Sequence, residues 1–215
     1  DNDVTVTAVF EEITYTVSFV NDDGSLLQSI KVPEGEIPSY TGAPPTKKAT
    51  AQYTYTFKGW DKALSADKGD ITYTAIYDKE VNKYTVTFYD EDGKTVLQNG
   101  KVAYGETPKY TGKTPTKPST VQYEYTFKGW DKDIVSVTKA TTYKAVFTND
   151  VNKYTVKFVN EDGTVLQTET LAYGTMPVFK GKTPTKAKTA QYTYTFKGWD
   201  KDIVSVTKAA TYKAV

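Results

Sequence analysis

The chain has 215 residues, 38% of them hydrophobic and 14% aromatic, and its 27 basic and 26 acidic residues leave a net charge of +1. It has no Cys, no His and no Arg, so every basic residue is Lys. That excludes thiolate nucleophiles and disulfides, zinc sites built on Cys or His, imidazole acid–base chemistry and the planar fork that reads phosphate or guanine. Interspersed charge offers no basic stripe for nucleic acid, no apolar run is long enough to cross a bilayer, and no signal peptide is present.

The chain repeats itself. Phe-Lys-Gly-Trp-Asp-Lys occurs at Phe57–Lys62, Phe127–Lys132 and Phe196–Lys201, with spacings of 127 − 57 = 70 and 196 − 127 = 69. A period of that length predicts tandem small domains, each close to the lower size limit for an independent core. The repeats are placed at residues 13–80, 81–150 and 151–215. Ahead of them, Val4–Phe10 (VTVTAVF) resembles Thr142–Phe147 (TYKAVF), so residues 1–12 are expected to hold the final strand of a preceding repeat. The third repeat stops at Val215, one residue short of the Phe that the second would predict. Export signals or anchors are therefore expected outside this segment.

Within a repeat, the first element is a strand. Tyr15–Phe19, Tyr84–Phe88 and Tyr154–Phe158 alternate large apolar residues with Thr, Ser or Lys, the period-2 pattern of a half-buried strand. Asn21-Asp22-Asp23-Gly24, Asp90-Glu91-Asp92-Gly93 and Asn160-Glu161-Asp162-Gly163 then read as hairpin turns, since Gly accepts positive φ. A returning strand follows, such as Thr164–Gln167. The second repeat carries one extra residue there, assigned to Lys94, which predicts a longer turn or a bulge because a plain slip would invert the strand.

A loop rich in Gly and Pro comes next (Thr41–Pro45, Thr111–Pro115, Lys180–Pro184), with room for a short helical turn over Lys47–Gln52 or Lys186–Gln191. Pro118 argues against a long helix in the second repeat. The third strand is the most aromatic: Tyr53–Phe57, Tyr123–Phe127 and Tyr192–Phe196. Gly59, Gly129 and Gly198 interrupt it and predict bulges that re-aim Trp60, Trp130 and Trp199. A final strand such as Thr141–Phe147 closes the unit. The connection Thr148–Asn152 lacks Gly, Ser or Pro tracts, so it is not expected to swivel freely.

Together, Tyr-Thr-Val-x-Phe, acidic-Asp-Gly, Ala-Tyr-Gly, Thr-Pro-Thr-Lys, Tyr-x-Tyr-x-Phe-Lys-Gly-Trp-Asp-Lys and Thr-Tyr-x-Ala-Val resemble the internalin B-repeat, which overlaps the Listeria–Bacteroides repeat group of bacterial surface proteins. The first repeat departs from the pattern, with Pro33-Glu34-Gly35 for Ala-Tyr-Gly and Ala63–Asp70 for Asp-Ile-Val-Ser-Val-Thr-Lys-Ala. The resemblance implies a small β-grasp-like module in exported proteins, with no catalytic residues to carry over. The expected fold is β-rich: tandem modules of about 70 residues arranged as an elongated rod.

Candidate sites are few. Trp60, Trp130 and Trp199 could present sugar-binding platforms, but a domain this small is expected to spend each Trp on its core. The acidic turns lack the ligand spacing of a calcium loop, and no carboxylate pair stands out as a glycosidase centre. An internal Lys–Asn isopeptide bond would need a buried Lys, and no triplet suggests one. Lys on strands reads as a guard against edge aggregation. The function expected is a non-enzymatic, cofactor-free stalk on the bacterial surface or wall, monomeric, presenting other domains. The alternative is an adhesion module that binds host-cell proteins or glycans through avidity.

Overall fold

The computed structural model describes residues 4–215, and among these it contains strands, turns and irregular segments but no helix. The first repeat is built from β1 (Thr14–Val20), β2 (Leu26–Pro33), β3 (Tyr53–Trp60) and β4 (Ile71–Val81). The second has β5 (Lys83–Tyr89), β6 (Val96–Ala103), β7 (Tyr123–Trp130) and β8 (Thr141–Val151), and the third β9 (Lys153–Val159), β10 (Val165–Ala172) and β11 (Ala210–Lys213). The sheet orders are β2-β1-β4-β3, β6-β5-β8-β7 and β10-β9-β11. The structure is thus all-β, three small sheets in tandem.

The residues group into two compact units. The first holds the residues up to Val86 plus Gly100–Pro108 and Val135–Thr141, and the second holds Thr87–Asn99, Lys109–Ile134 and Thr142–Val215.

In the first unit, β1 pairs antiparallel with β2 and parallel with β4, from Val17↔Ile71 to Val20↔Thr74. A parallel pair cannot be joined by a hairpin and needs a long crossover. Here the crossover includes the irregular segment between β2 and β3, which side chains hold down. Pro38 and Pro45 are buried, and Gln28 accepts a hydrogen bond from Thr41 N at 2.9 Å. Tyr40 folds back over Gly42, where a Cβ would lie 2.4 Å from the ring hydroxyl. The same stitches recur in the second unit, with Gln98 accepting from Thr111 N and Gln167 from Lys180 N, both at 2.7 Å. No helical turn forms over Lys47–Gln52 or Lys186–Gln191. In the first repeat Thr50 N bonds Tyr53 O and Tyr53 N bonds the Thr50 hydroxyl, and Thr189 and Tyr192 repeat the arrangement. These bonds take the backbone groups that a helical turn would use.

The bulges predicted at Gly59 and Gly129 are present. Register in the β3·β4 pair shifts between Phe57 and Gly59, and in β7·β8 between Phe127 and Gly129. Gly59, Gly129 and Gly198 have φ of 147°, 140° and 147°, open to Gly and costly to other residues. The extra residue of the second repeat lengthens its turn. Asp90 N closes onto Thr95 O, whereas Asn21 N and Asn160 N close onto Ser25 O and Thr164 O.

One expected strand is absent. Tyr192–Phe196 forms no ladder; only the bridge Trp199↔Ala214 remains. In the second repeat this segment pairs with Phe147–Val151, residues whose counterparts would follow Val215. Val4–Phe10 form no regular element and lie exposed, and residues 1–3 of the expected leading strand fall outside the described residues.

Each core is a knot of four rings. Phe19 stacks on Tyr73 at 5.4 Å, with Trp60 at 4.7 Å and Tyr40 at 5.3 Å. In the second unit Phe88 meets Tyr143, Trp130 and Tyr110 at 5.0, 4.7 and 5.3 Å, and Phe158 meets Tyr212, Trp199 and Phe179 at 5.2, 4.8 and 5.3 Å.

At the bulge, a Cβ on Gly129 would meet no atom within 4 Å, so substitution is resisted by the backbone alone. Gly129→Ala is expected to cost about 1–3 kcal/mol, read as a lower urea midpoint without a change in slope.

Candidate functional site: the junction between repeats

Every residue of Phe-Lys-Gly-Trp-Asp-Lys has work inside its own repeat. Phe57 meets Trp60 edge-on at 5.4 Å, Lys58 is the bulged residue, and Gly59 permits the bulge. Asp61 clamps β4 with two bonds: its N–H reaches Thr74 O at 2.8 Å and its carboxylate accepts from Thr74 N at 2.9 Å. Lys62 lies 5.6 Å from the centre of the Tyr73 ring, a cation–π contact. Asp131 and Asp200 repeat the clamp on Lys144 and Lys213, and Lys132 and Lys201 repeat the cation–π contact on Tyr143 and Tyr212. The structure places Trp60, Trp130 and Trp199 in the ring clusters, partly buried, rather than as open platforms.

The acidic turns are likewise occupied. Asp92 accepts from Lys94 N, Thr95 N and the Thr95 hydroxyl, and Asp23 and Asp162 accept from Ser25 N and Thr164 N. Their neighbours Asp22, Glu91 and Glu161 pair with Lys47, Lys117 and Lys186. These lysines sit over Tyr55, Tyr125 and Tyr194 at 4.7, 4.3 and 4.6 Å. Each trio ties the hairpin turn to the third aromatic segment. Exposed ion pairs of this kind contribute little singly. Among the described residues no cluster of carboxylates is arranged to hold a metal ion. The only buried polar or charged residue there is Thr87, so no buried Lys stands ready for an isopeptide bond.

What sequence reasoning missed lies between the repeats. β4 does not stop at Tyr77 but runs to Val81, and β5 begins at Lys83, leaving Asn82 alone between them. Within the first unit, Asn82 N donates to Gln52 O at 2.8 Å, and its side-chain amide donates to Thr50 O at 2.8 Å and Ala51 O at 3.1 Å. Its side-chain carbonyl accepts from the Thr54 hydroxyl at 2.7 Å, and its backbone carbonyl accepts from Tyr104 N at 2.8 Å. One residue therefore bonds the end of the first repeat and the start of the second. Tyr84 adds a bond from its hydroxyl to Ala51 O at 2.5 Å.

The second unit contains the same joint. Asn152 stands alone between β8 and β9. It donates from its backbone to Gln122 O at 2.9 Å and from its side chain to Thr120 O at 2.7 Å, and accepts from Tyr173 N at 2.8 Å. Tyr154 reaches Val121 O at 2.6 Å. The signal was available in the sequence: Val-Asn-Lys-Tyr stands at both Val81–Tyr84 and Val151–Tyr154, with a Thr-x-Gln tripeptide upstream of each. A lone polar Asn between strands reads as a linker, so the spacing alone did not reveal it.

The joint is a structural lock, with no nucleophile, base or cation site in it. It therefore defines a class: tandem β-modules coupled by short hydrogen-bonded junctions. Residues 84–152 match the family model of the Listeria-Bacteroides repeat domain. No curated protein is significantly similar to the chain. Among solved structures, domains 3–4 of the Streptococcal High Identity Repeats in Tandem (SHIRT) domains from a cell surface protein are 18% identical, with 64% of this chain and 100% of that one covered and a TM-score of 0.31. Superposition at that level carries no argument.

Asn152→Ala should weaken the second junction by about 0.5–1.5 kcal/mol. The check is faster hydrogen exchange at the amides of residues 152 and 173, with exchange in β7 unchanged. At the turn, the Thr95 hydroxyl and the Lys94 and Thr95 amides hold the Asp92 carboxyl down at about 2. A depressed folded-state pKa stabilises the fold above the ordinary Asp range, and that contribution is lost as pH falls through about 2. Thr95→Val should move the Asp92 titration, followed by carboxyl NMR, up toward the usual Asp value.

Proposed function

We propose that this chain is a non-enzymatic repeat segment of a bacterial cell-surface protein, acting as a stalk that holds other domains away from the cell. The observation that carries this reading is the junction: a single Asn between strands, bonded to both neighbours and buttressed by a Tyr hydroxyl, at both places where one repeat meets the next. A binding module needs only flexible tethers for avidity, whereas a spacer gains from coupling that transmits orientation. The similarity of residues 84–152 to a bacterial repeat domain supports an exported, surface location. The absence of His, Cys and Arg and the internal use of the repeated motif support a role without catalysis.

The chain has no native Cys, so pairs of introduced cysteines can be spin-labelled without background. Exposed, equivalent positions are Glu36, Glu106 and Thr175. Narrow distance distributions with equal means for the 36/106 and 106/175 pairs are expected for coupled repeats. Broad distributions would remove the stalk reading. Saturable binding to glycans or host cells that rises with repeat number would replace it with the adhesion reading.

A further inference from the structure

In the first unit, the chain enters the first repeat at Thr14, the start of β1, and leaves it at Val81, the end of β4. These two strands are neighbours in the sheet, and they are its parallel pair. Tension along the backbone therefore pulls β1 from its start and β4 from its end, in opposite senses along one ladder. The hydrogen bonds of that ladder run across the line of force, so all of them are loaded together. An antiparallel pair pulled apart at one end gives way rung by rung instead.

The ladder is reinforced where the load falls. Phe19 and Tyr73 are register partners in it, their rings stack at 5.4 Å, and both are fully buried. Sliding β4 past β1 must break that stack. The Tyr73 hydroxyl donates to the Asp67 carboxylate at 2.7 Å and accepts from Ser65 N at 3.2 Å, which anchors β4 to the segment ahead of it. One step before the register pair Val17↔Ile71, the Asp70 carboxylate accepts from Thr16 N at 2.6 Å and adds a rung. On its other side β4 is held by β3, from Tyr53↔Val81 to Trp60↔Ala75, so drawing β4 out shears two ladders. The second unit has the same pairing between β9 and β11, with Phe158 stacked on Tyr212 at 5.2 Å. Asp70 has no equivalent in the other repeats, where Ala140 and Ala209 stand ahead of β8 and β11.

We infer that these repeats bear tension, with the parallel ladder between the first and last strands as the element that resists it. This rests on the stalk reading, because a segment between a cell and a presented domain is the one that is loaded from both ends. Tension leaving β4 reaches β5 through Asn82 alone, so no slack residue absorbs it. Resistance to force follows the barrier to unfolding rather than equilibrium stability, and here the pulled strands are the ones whose separation costs most.

The test is single-molecule pulling on the full chain, which has no native Cys to compete with introduced handles. Handles at Thr14→Cys and Val81→Cys load β1·β4 in shear. Handles at Thr14→Cys and Glu34→Cys peel β2 from β1, since Thr14 pairs with Pro33 and Glu34 N bonds Ile13 O at the same end. Thr14, Glu34 and Val81 are exposed, so the replacements leave the ring cluster in place, which unchanged amide spectra would verify. The first pair spans 81 − 14 = 67 residues and the second 34 − 14 = 20. Full extension thus releases about 240 Å against about 70 Å of chain, and the two events are told apart by length. The expected result is an unfolding force several-fold higher for 14/81 than for 14/34 at the same loading rate. Asp70→Ala should lower the 14/81 force and leave the 14/34 force unchanged. A 14/81 force no higher than the 14/34 force, or one that Asp70→Ala does not move, overturns the inference. Neither result bears on distances between labelled repeats, so this inference and the stalk reading fail separately.

Discussion

Each repeat depends on packing four rings around one Phe of its first strand. A domain of about 70 residues has little interior to spend, and without cysteines no disulfide can make up the shortfall. Stacking Phe19 on Tyr73 joins the two parallel central strands, Trp60 brings in the third strand, and Tyr40 pins the crossover. The remaining devices serve that cluster. The Gly59 bulge turns Trp60 inward, the Asp61 clamp fixes the strand that carries Tyr73, and Gly42 lets Tyr40 close over the loop. Where Phe179 replaces the Tyr, the ring contacts persist, so the packing survives without the hydroxyl.

This accounts for the recurrence of the motif by folding alone. A motif recurs in tandem modules either because each copy binds something or because each copy must fold. Here the Phe, Trp, Asp and last Lys of each copy are engaged within their own repeat. Recurrence reports the folding requirement. The charges of the hairpin turns tell the same story: their carboxylates are spent on amides, hydroxyls and lysines of their own repeat.

Much of the fold was legible because its signals are local. Alternation set the strand faces, Asp-Gly set the turns, and a Gly within an aromatic run announced the bulge. The inserted Lys94 could be foreseen as a longer turn because a slip would have inverted β6. The misreadings were non-local. A helical turn before Tyr53 was excluded by bonds between Thr50 and Tyr53 that no periodicity encodes. Strand length was underestimated because Thr148–Val151 look like linker until Glu124 and Tyr123 are seen opposite Asp150 and Val151. The importance of Asn82 and Asn152 was invisible for the same reason: their partners lie about 30 residues upstream.

That distance matters for how the array behaves. A junction bonded to Thr120, Val121 and Gln122 on one side and Tyr173 on the other makes each repeat part of its neighbour's support. Stability then has a nearest-neighbour term as well as an intrinsic one. Opening one repeat frees the bay at residues 120–122 and unseats the Asn and Tyr of the next. Interior repeats are held from both sides, and a repeat with one neighbour from one side only. A segment built this way tolerates gain or loss of repeats like the second and third, because each of these brings both a Thr-x-Gln bay and the Asn that fills the previous one, whereas the first repeat has Ile13 in the Asn position. It tolerates poorly any change that shifts Asn out of step with the bay, since β4 and β8 run straight into it with no slack residue to absorb the difference.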